Sequence, residues 1–152
     1  MTYKIQVKSE KESTALALKL AKNLKAGDVI LLEGDLGSGK TFFAKGVGLG
    51  LMVNETVISP TFNIVRCYFK GRLPLYHIDA YRLEDCQQDI GLEEYLEGDG
   101  VSLVEWPEYI QEFWPDEYLK ISIEISGKQS RDYTFLAKGR RYEGLLKVIK
   151  NG

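Results

Sequence analysis

Residues Gly34-Asp35-Leu36-Gly37-Ser38-Gly39-Lys40-Thr41 spell G-x-x-x-x-G-K-T directly after the apolar run Val29-Ile30-Leu31-Leu32. This motif narrows the fold sharply because it has a required context, a strand entering the loop and a helix leaving it. Glycine lets the backbone take positive φ and approach phosphate oxygens with no Cβ in the way. Successive N–H groups then point inward at an anion, aided by the positive end of the following helix. In such a loop Lys40 reaches the β- and γ-phosphates and the Thr41 hydroxyl ligates Mg²⁺. The competing reading is a Gly-rich turn before a helix; strand, loop and helix in sequence favour a nucleotide site with Leu36, Gly37, Ser38, Gly39, Lys40 and Thr41 around the phosphates.

The rest of the chain is consistent with an α/β nucleotide-binding domain. At 152 residues one domain is expected, spanning 1–152. A net charge of −2 argues against a free-standing nucleic-acid binder, which needs a basic surface. Lys128, Arg131, Lys138, Arg140 and Arg141 form either a local basic patch or a solvated strand and helix face. Cys67 and Cys86 lack metal-ligand spacing and are expected to stay thiols in a reducing cytoplasm. Met1–Val7 alternates like a strand and holds no long apolar segment, so neither a secretory signal nor a membrane span is read there, and a cytoplasmic location is expected.

Tyr3, Ile5 and Val7 give a first strand. Ser9 with Glu12 forms a capping box for a helix that Gly27 should end. Val29–Glu33 is the strand before the loop, and Thr41 to about Met52 the helix after it. Gly46, Gly48 and Gly50 weaken that helix, each by up to roughly 1 kcal/mol relative to Ala, so close packing against the sheet is expected to compensate. Ile64–Phe69 and Leu73–Asp79 read as a hairpin, Glu84–Glu97 as a helix broken at Gly91, and Val101–Glu105 as a buried strand. A short helix after Pro107, strands at Leu119–Ile125 and Tyr133–Ala137, and a helix from Arg140 to Ile149 complete the chain. This order predicts a three-layer α/β fold of the phosphate-loop NTPase kind, its mixed sheet having a parallel core extended by antiparallel strands.

A phosphate loop needs an acid at the end of a buried strand to hold the Mg²⁺ shell and orient the attacking nucleophile. Glu105 and Asp79 qualify. Glu105 ends the more apolar strand and is the favoured metal-side acid, leaving Asp79 to position water or stand in the outer metal shell. For each the alternative is a strand-end carboxylate that caps a helix or pairs with an Arg. Thr61, in Ser59-Pro60-Thr61, lies where switch segments lie and is a candidate for contact with Mg²⁺ or the γ-phosphate; the alternative is a Pro-fixed turn. Arg82 is either a charge stabiliser or an ordinary ion-pair partner. His77 shares a strand face with Asp79 and is read as structural, and Trp106 as core or as one wall of the site. The chain has neither an N-K-x-D run nor a D-x-x-G switch, which argues against a Ras-type GTPase.

Four segments appear in order: Gly34 to Thr41, Ser59-Pro60-Thr61-Phe62, Tyr76-His77-Ile78-Asp79-Ala80-Tyr81-Arg82-Leu83 and Val104-Glu105-Trp106-Pro107. Together they resemble the TsaE (YjeE) family of bacterial ATPases over essentially the whole chain. The resemblance implies a role in making N6-threonylcarbamoyladenosine on tRNA with the partners TsaD and TsaB, ATP hydrolysis resetting that pair. It further implies ATP and Mg²⁺ as cofactors, with Leu36 to Thr41 on the phosphates, Thr41 and Glu105 on Mg²⁺, Asp79 supporting hydrolysis, and Lys11 and Arg131 as further nucleotide contacts. Ser38 replaces the family's usual alanine, which is expected to be harmless. Phe42 replaces a second threonine, losing a hydroxyl that could meet the α-phosphate. Beside this reading stand a small-molecule kinase, with Arg131, Arg140 and Arg141 as a lid, and a regulatory module without turnover.

Overall fold

A strand that is apolar at successive positions must be covered on both faces, and Val29-Ile30-Leu31-Leu32 is buried throughout. The computed structural model describes residues 1–53, 55, 57, 64–83 (except the Arg82 side chain) and 91–151. The Ser59–Phe62 segment, including Thr61, together with Cys86 and the first part of the helix expected from Glu84, lie outside the described residues.

The strands are β1 (Thr2–Val7), β2 (Val29–Glu33), β3 (Val65–Tyr68), β4 (Leu75–Asp79), β5 (Val101–Glu105), β6 (Tyr118–Ile125) and β7 (Arg131–Lys138). They form one sheet in the order β1-β7-β6-β2-β5-β4-β3. The centre is parallel: β2 pairs with β5 and β6, and β5 with β4. The flanks are antiparallel, β3 on β4 and β7 between β6 and β1. The phosphate-loop α/β fold with a mixed sheet is therefore as expected from the element order.

Alternation along β2 divides the core between the faces of the sheet. Ile30 and Leu32 pack with residues of α1 (Glu10–Lys22), α2 (Lys40–Gly50) and α4 (Arg140–Asn151). Val29 and Leu31 pack with Ile78, Val104 and Ile110 and with Leu92 and Leu96 of α3 (Leu92–Leu96). On α4, Leu145, Leu146 and Ile149 face inward as their spacing predicts. Tyr142 adds an anchor, its hydroxyl accepting the Val29 N–H at 2.8 Å.

Helix α1 begins as its capping box predicts, Ser9 Oγ accepting the Glu12 N–H at 3.2 Å. The Glu12 carboxylate reaches the Lys8 N–H, one residue before the cap. The helix ends at Lys22, five residues before Gly27. Side chains cover carbonyls at and just past its end: Arg72, from the β3–β4 turn, donates Nη2–H to Ala21 O at 2.7 Å and to Leu24 O at 3.2 Å. Gly27 instead shapes the entry to β2, donating to Gly100 O at 2.9 Å.

The glycines of α2 pack closely, Gly46 and Gly50 against α1 and Gly48 towards Val57 and towards Leu75 of the sheet. A Cβ at Gly46 would lie 2.7 Å from Ala17 Cβ, and one at Gly50 2.5 Å from Ala21 Cβ. A Cβ at Gly48 would meet Val57 Cγ2 at 2.4 Å. Bare backbone on α2 and alanine on α1 bring the two helices into near contact. Gly46→Ala should therefore destabilise the fold by about 1–2 kcal/mol, an overpacking cost of roughly 1–3 kcal/mol exceeding the helix-propensity gain. Gly144→Ala, at an exposed α4 position with nothing within 4 Å, should stabilise by up to about 1 kcal/mol. Chemical denaturation of both variants checks the contrast, and equal effects would remove the helix–helix explanation.

Candidate functional site

The parallel pairing of β2, β5 and β4 brings three strand ends to one edge of the sheet. β2 delivers the glycine loop, β5 delivers Glu105, and β4 delivers Asp79, which is paired in register with Glu105. Between them opens a cleft of about 470 Å³ lined by Leu36, Gly37, Gly39, Lys40, Thr41, Phe42, Asp79, Tyr81, Glu105 and Trp106.

The loop holds a conformation that only glycine adopts readily. Gly37 and Gly39 have φ of 82° and 107°, in the region where a Cβ clashes with the backbone. Gly39 is also the N-cap of α2, so that helix's unpaired amides open towards the loop. Ser38 is buried, with its Oγ unpartnered among the described residues. Its carbonyl accepts Nε–H of Arg131 at 3.0 Å, while Arg131 Nη1 donates to Gly127 O and Ser130 O. Arg131 thus ties the β6–β7 turn to the glycine loop.

Lys40 is 5% exposed. Its ammonium donates to Gly34 O across the loop and lies 3.4 Å from the centroid of the Trp106 ring, a cation–π contact. Burial lowers its pKa, opposed by the carboxylates of Glu105, Glu108, Asp79 and Asp35. Trp106 reaches this position through a left-handed backbone, φ 57°, at the end of β5. It therefore forms a wall of the cleft, with Tyr81 beside it at 5.0 Å between ring centroids.

Thr41 opens α2 directly opposite the end of β5. Its Oγ1 lies 3.2 Å and 3.3 Å from the two Glu105 carboxylate oxygens. Glu105 is 3% exposed, and its Oε2 lies 2.6 Å from Nε2 of His77. Asp79 Oδ1 accepts the Tyr81 N–H at 3.0 Å. Burial raises the Asp79 pKa; Glu105 raises it further, while the Tyr81 N–H, His77 and Lys40 oppose the shift. Among the described residues no group of three or more His, Cys, Asp or Glu is placed to hold a metal ion. The Thr41–Glu105 pair offers hard oxygen donors that can hold a divalent cation only together with ligands from outside the chain, which is how Mg²⁺ is usually bound beside phosphates.

Behind the loop is a second cavity of about 210 Å³, lined in part by Glu10, Ser13, Phe42, Lys128, Arg131 and Tyr133. Arg131 thus stands beside the loop, whereas Lys11 is exposed and lines neither cavity. The first turn of α1 meets the second cavity through Glu10 and Ser13. Phe42 lines both cavities. In the basic run, Arg141 is taken up by Asp28, with Nη2–Oδ2 2.7 Å and Nε–Oδ1 3.1 Å. Sequence reasoning missed the His77–Glu105 contact and the Lys40–Trp106 stack. Alternation placed His77 with Asp79, but only the β4–β5 register brings it to Glu105.

Comparison with known proteins supplies the family. The family model described as "Threonylcarbamoyl adenosine biosynthesis protein TsaE" matches residues 7–133. A Bacillus subtilis (strain 168) protein named "tRNA threonylcarbamoyladenosine biosynthesis protein TsaE" is 50% identical over 138 residues, covering 91% of this chain and 87% of its own. A protein of the same name from Nostoc sp. is 43% identical over 129 residues, covering 81% and 79%. The crystal structure of YdiB from Bacillus subtilis superposes with a TM-score of 0.88 at 42% identity, covering 99% of this chain and 95% of that one. With a profile match over most of its length and relatives this similar, the chain belongs to the TsaE family.

Proposed function

We propose that this chain binds ATP with Mg²⁺ in the cleft and hydrolyses it slowly. In this reading it serves N6-threonylcarbamoyladenosine formation in tRNA as a switch that resets a TsaB–TsaD complex in the cytoplasm. The family and the names of its relatives support the tRNA-modification role. The observation that carries the nucleotide reading is the convergence of loop, Lys40, Thr41, Glu105 and Asp79 on one cleft. The loop amides and the Lys40 ammonium would neutralise the β- and γ-phosphates. Thr41 and Glu105 would hold Mg²⁺, whose chemistry is to offset charge on the phosphate oxygens. Asp79, across the strand pair from Glu105, would orient a water towards the γ-phosphate. The cavity behind the loop would take the nucleoside end, with Arg131 at its wall. Thr61 remains a proposed γ-phosphate contact, and Lys11 a proposed nucleotide contact.

The internal bonds of Arg131 and Arg141 weigh against the kinase alternative, which needs mobile arginines on a lid. No described helix is long and apolar enough to cross a membrane.

Lys40→Ala should weaken ATP binding by about 100-fold, since a charged hydrogen-bond donor is worth up to roughly 3 kcal/mol; calorimetry checks this, and undiminished binding removes the loop from the account. Phosphate release from the isolated chain should be slow and rise when TsaB and TsaD are added. Rapid phosphorylation of a small metabolite by the chain alone would favour the kinase.

Asp79 gives a pH signature. Its folded pKa is raised, so protonation persists to higher pH than in an ordinary aspartate. The acid limb of turnover should therefore lie above the usual carboxylate range, and Asp79→Asn should abolish that limb along with most turnover. The stability effect has the opposite sense. As pH rises from the unfolded to the folded pKa, the unfolded chain releases its proton first, and folding loses stability. At neutral pH the Asn variant should accordingly unfold no earlier than wild type in a thermal melt.

A further inference from the structure

His77 is the chain's single histidine, and its side chain is 0% exposed. It stands on β4 opposite Leu103 in the parallel pairing with β5, with Leu75 and Asp79 on its own face of the strand. Such a position normally takes an aliphatic side chain, because an imidazole nitrogen without a partner is costly to desolvate. Here Nδ1 has no hydrogen-bond partner among the described residues. Nε2 lies 2.6 Å from Glu105 Oε2; an ionised carboxylate only accepts, so against one Nε2 is the nitrogen assigned the ring proton. The imidazole's polar chemistry is thus directed at one atom of the carboxylate that also meets Thr41.

A carboxylate at the end of a strand can rotate about its last side-chain bond. In this chain both its oxygens lie near Thr41 Oγ1, and one is also engaged by His77. We infer that His77 is a positioning residue: by donating Nε2–H to Oε2, it fixes the Glu105 carboxylate so that Oε1 and Thr41 Oγ1 stand as a preset oxygen pair for a divalent cation. Hydrogen bonds of this kind to a ligating carboxylate raise metal affinity by orienting the ligand before the metal arrives. The inference rests on the reading of Thr41 and Glu105 as the cation pair.

The test is calorimetric titration of a non-hydrolysable ATP analogue into wild type, His77→Phe and His77→Gln, in EDTA and in saturating Mg²⁺. In EDTA the three should bind alike. In Mg²⁺, His77→Phe, which fills the space without a donor, should bind about tenfold or more weakly than wild type. His77→Gln, whose amide can donate to Oε2, should recover most of the loss. Thermal melts accompany each titration, and His77→Leu replaces His77→Phe if the latter does not fold. An unchanged Mg²⁺ gain in the donor-free variant would overturn the inference. So would an equal loss in both conditions, the mark of a packing residue, or a Gln variant no better than Phe. A wild-type chain that binds the analogue in neither condition would overturn the cleft reading itself, and this inference with it.

Discussion

The cleft depends on keeping one buried carboxylate oriented and supplied with donors. Glu105 is almost fully out of water, in register with a second carboxylate, Asp79. An isolated buried anion is strongly unfavourable, so its neighbours must supply donors or opposite charge. Two elements do so. α2 brings the Thr41 hydroxyl and, from its first residue, the Lys40 ammonium close enough to feel the same field, and β4 brings the His77 imidazole. Because these donors come from separate parts of the chain, the carboxylate's environment exists only when the parallel strands are in register.

That dependence accounts for the layout of the sheet. β2, β5 and β4 are parallel neighbours, so their carboxyl ends lie together. In such sheets ligands are bound beyond the carboxyl ends of the strands. The antiparallel flanks contribute differently. Arg72 in the β3–β4 turn caps α1, and Arg131 at the start of β7 holds the Ser38 carbonyl. Both arginines act inside the molecule, as does Arg141. Much of the basic charge late in the chain is therefore committed to structure.

Whatever local spacing determines could be read from the residues. The glycine loop, its strand and helix, the two strand-end acids, the β3–β4 hairpin and the inward face of α4 all follow from periodicity or turn chemistry. What was illegible depends on partners distant in sequence. Gly46 and Gly50 signal close packing, but nothing local says that Ala17 and Ala21 of α1 are what they meet. Gly27 looks like a helix stop, yet α1 ends at Lys22, where Arg72, far along the chain, donates to Ala21 O and to Leu24 O just past the end. His77 read as structural because its contact with Glu105 is set by register across two strands. Trp106 could be assigned to core or wall only once its left-handed backbone turned the indole over Lys40.

The resting position of the Lys40 side chain has a consequence for how tightly any anion can be held. Its ammonium is already out of water, docked on the Gly34 carbonyl and flanked by an indole face. Any anion arriving there would not strip solvent from a free cation; it would exchange one acceptor for another. The favourable difference is smaller than a bare Coulomb attraction would suggest, yet little side-chain freedom is left to lose. A cation held in this way would trade grip for readiness towards any anion that replaced the carbonyl.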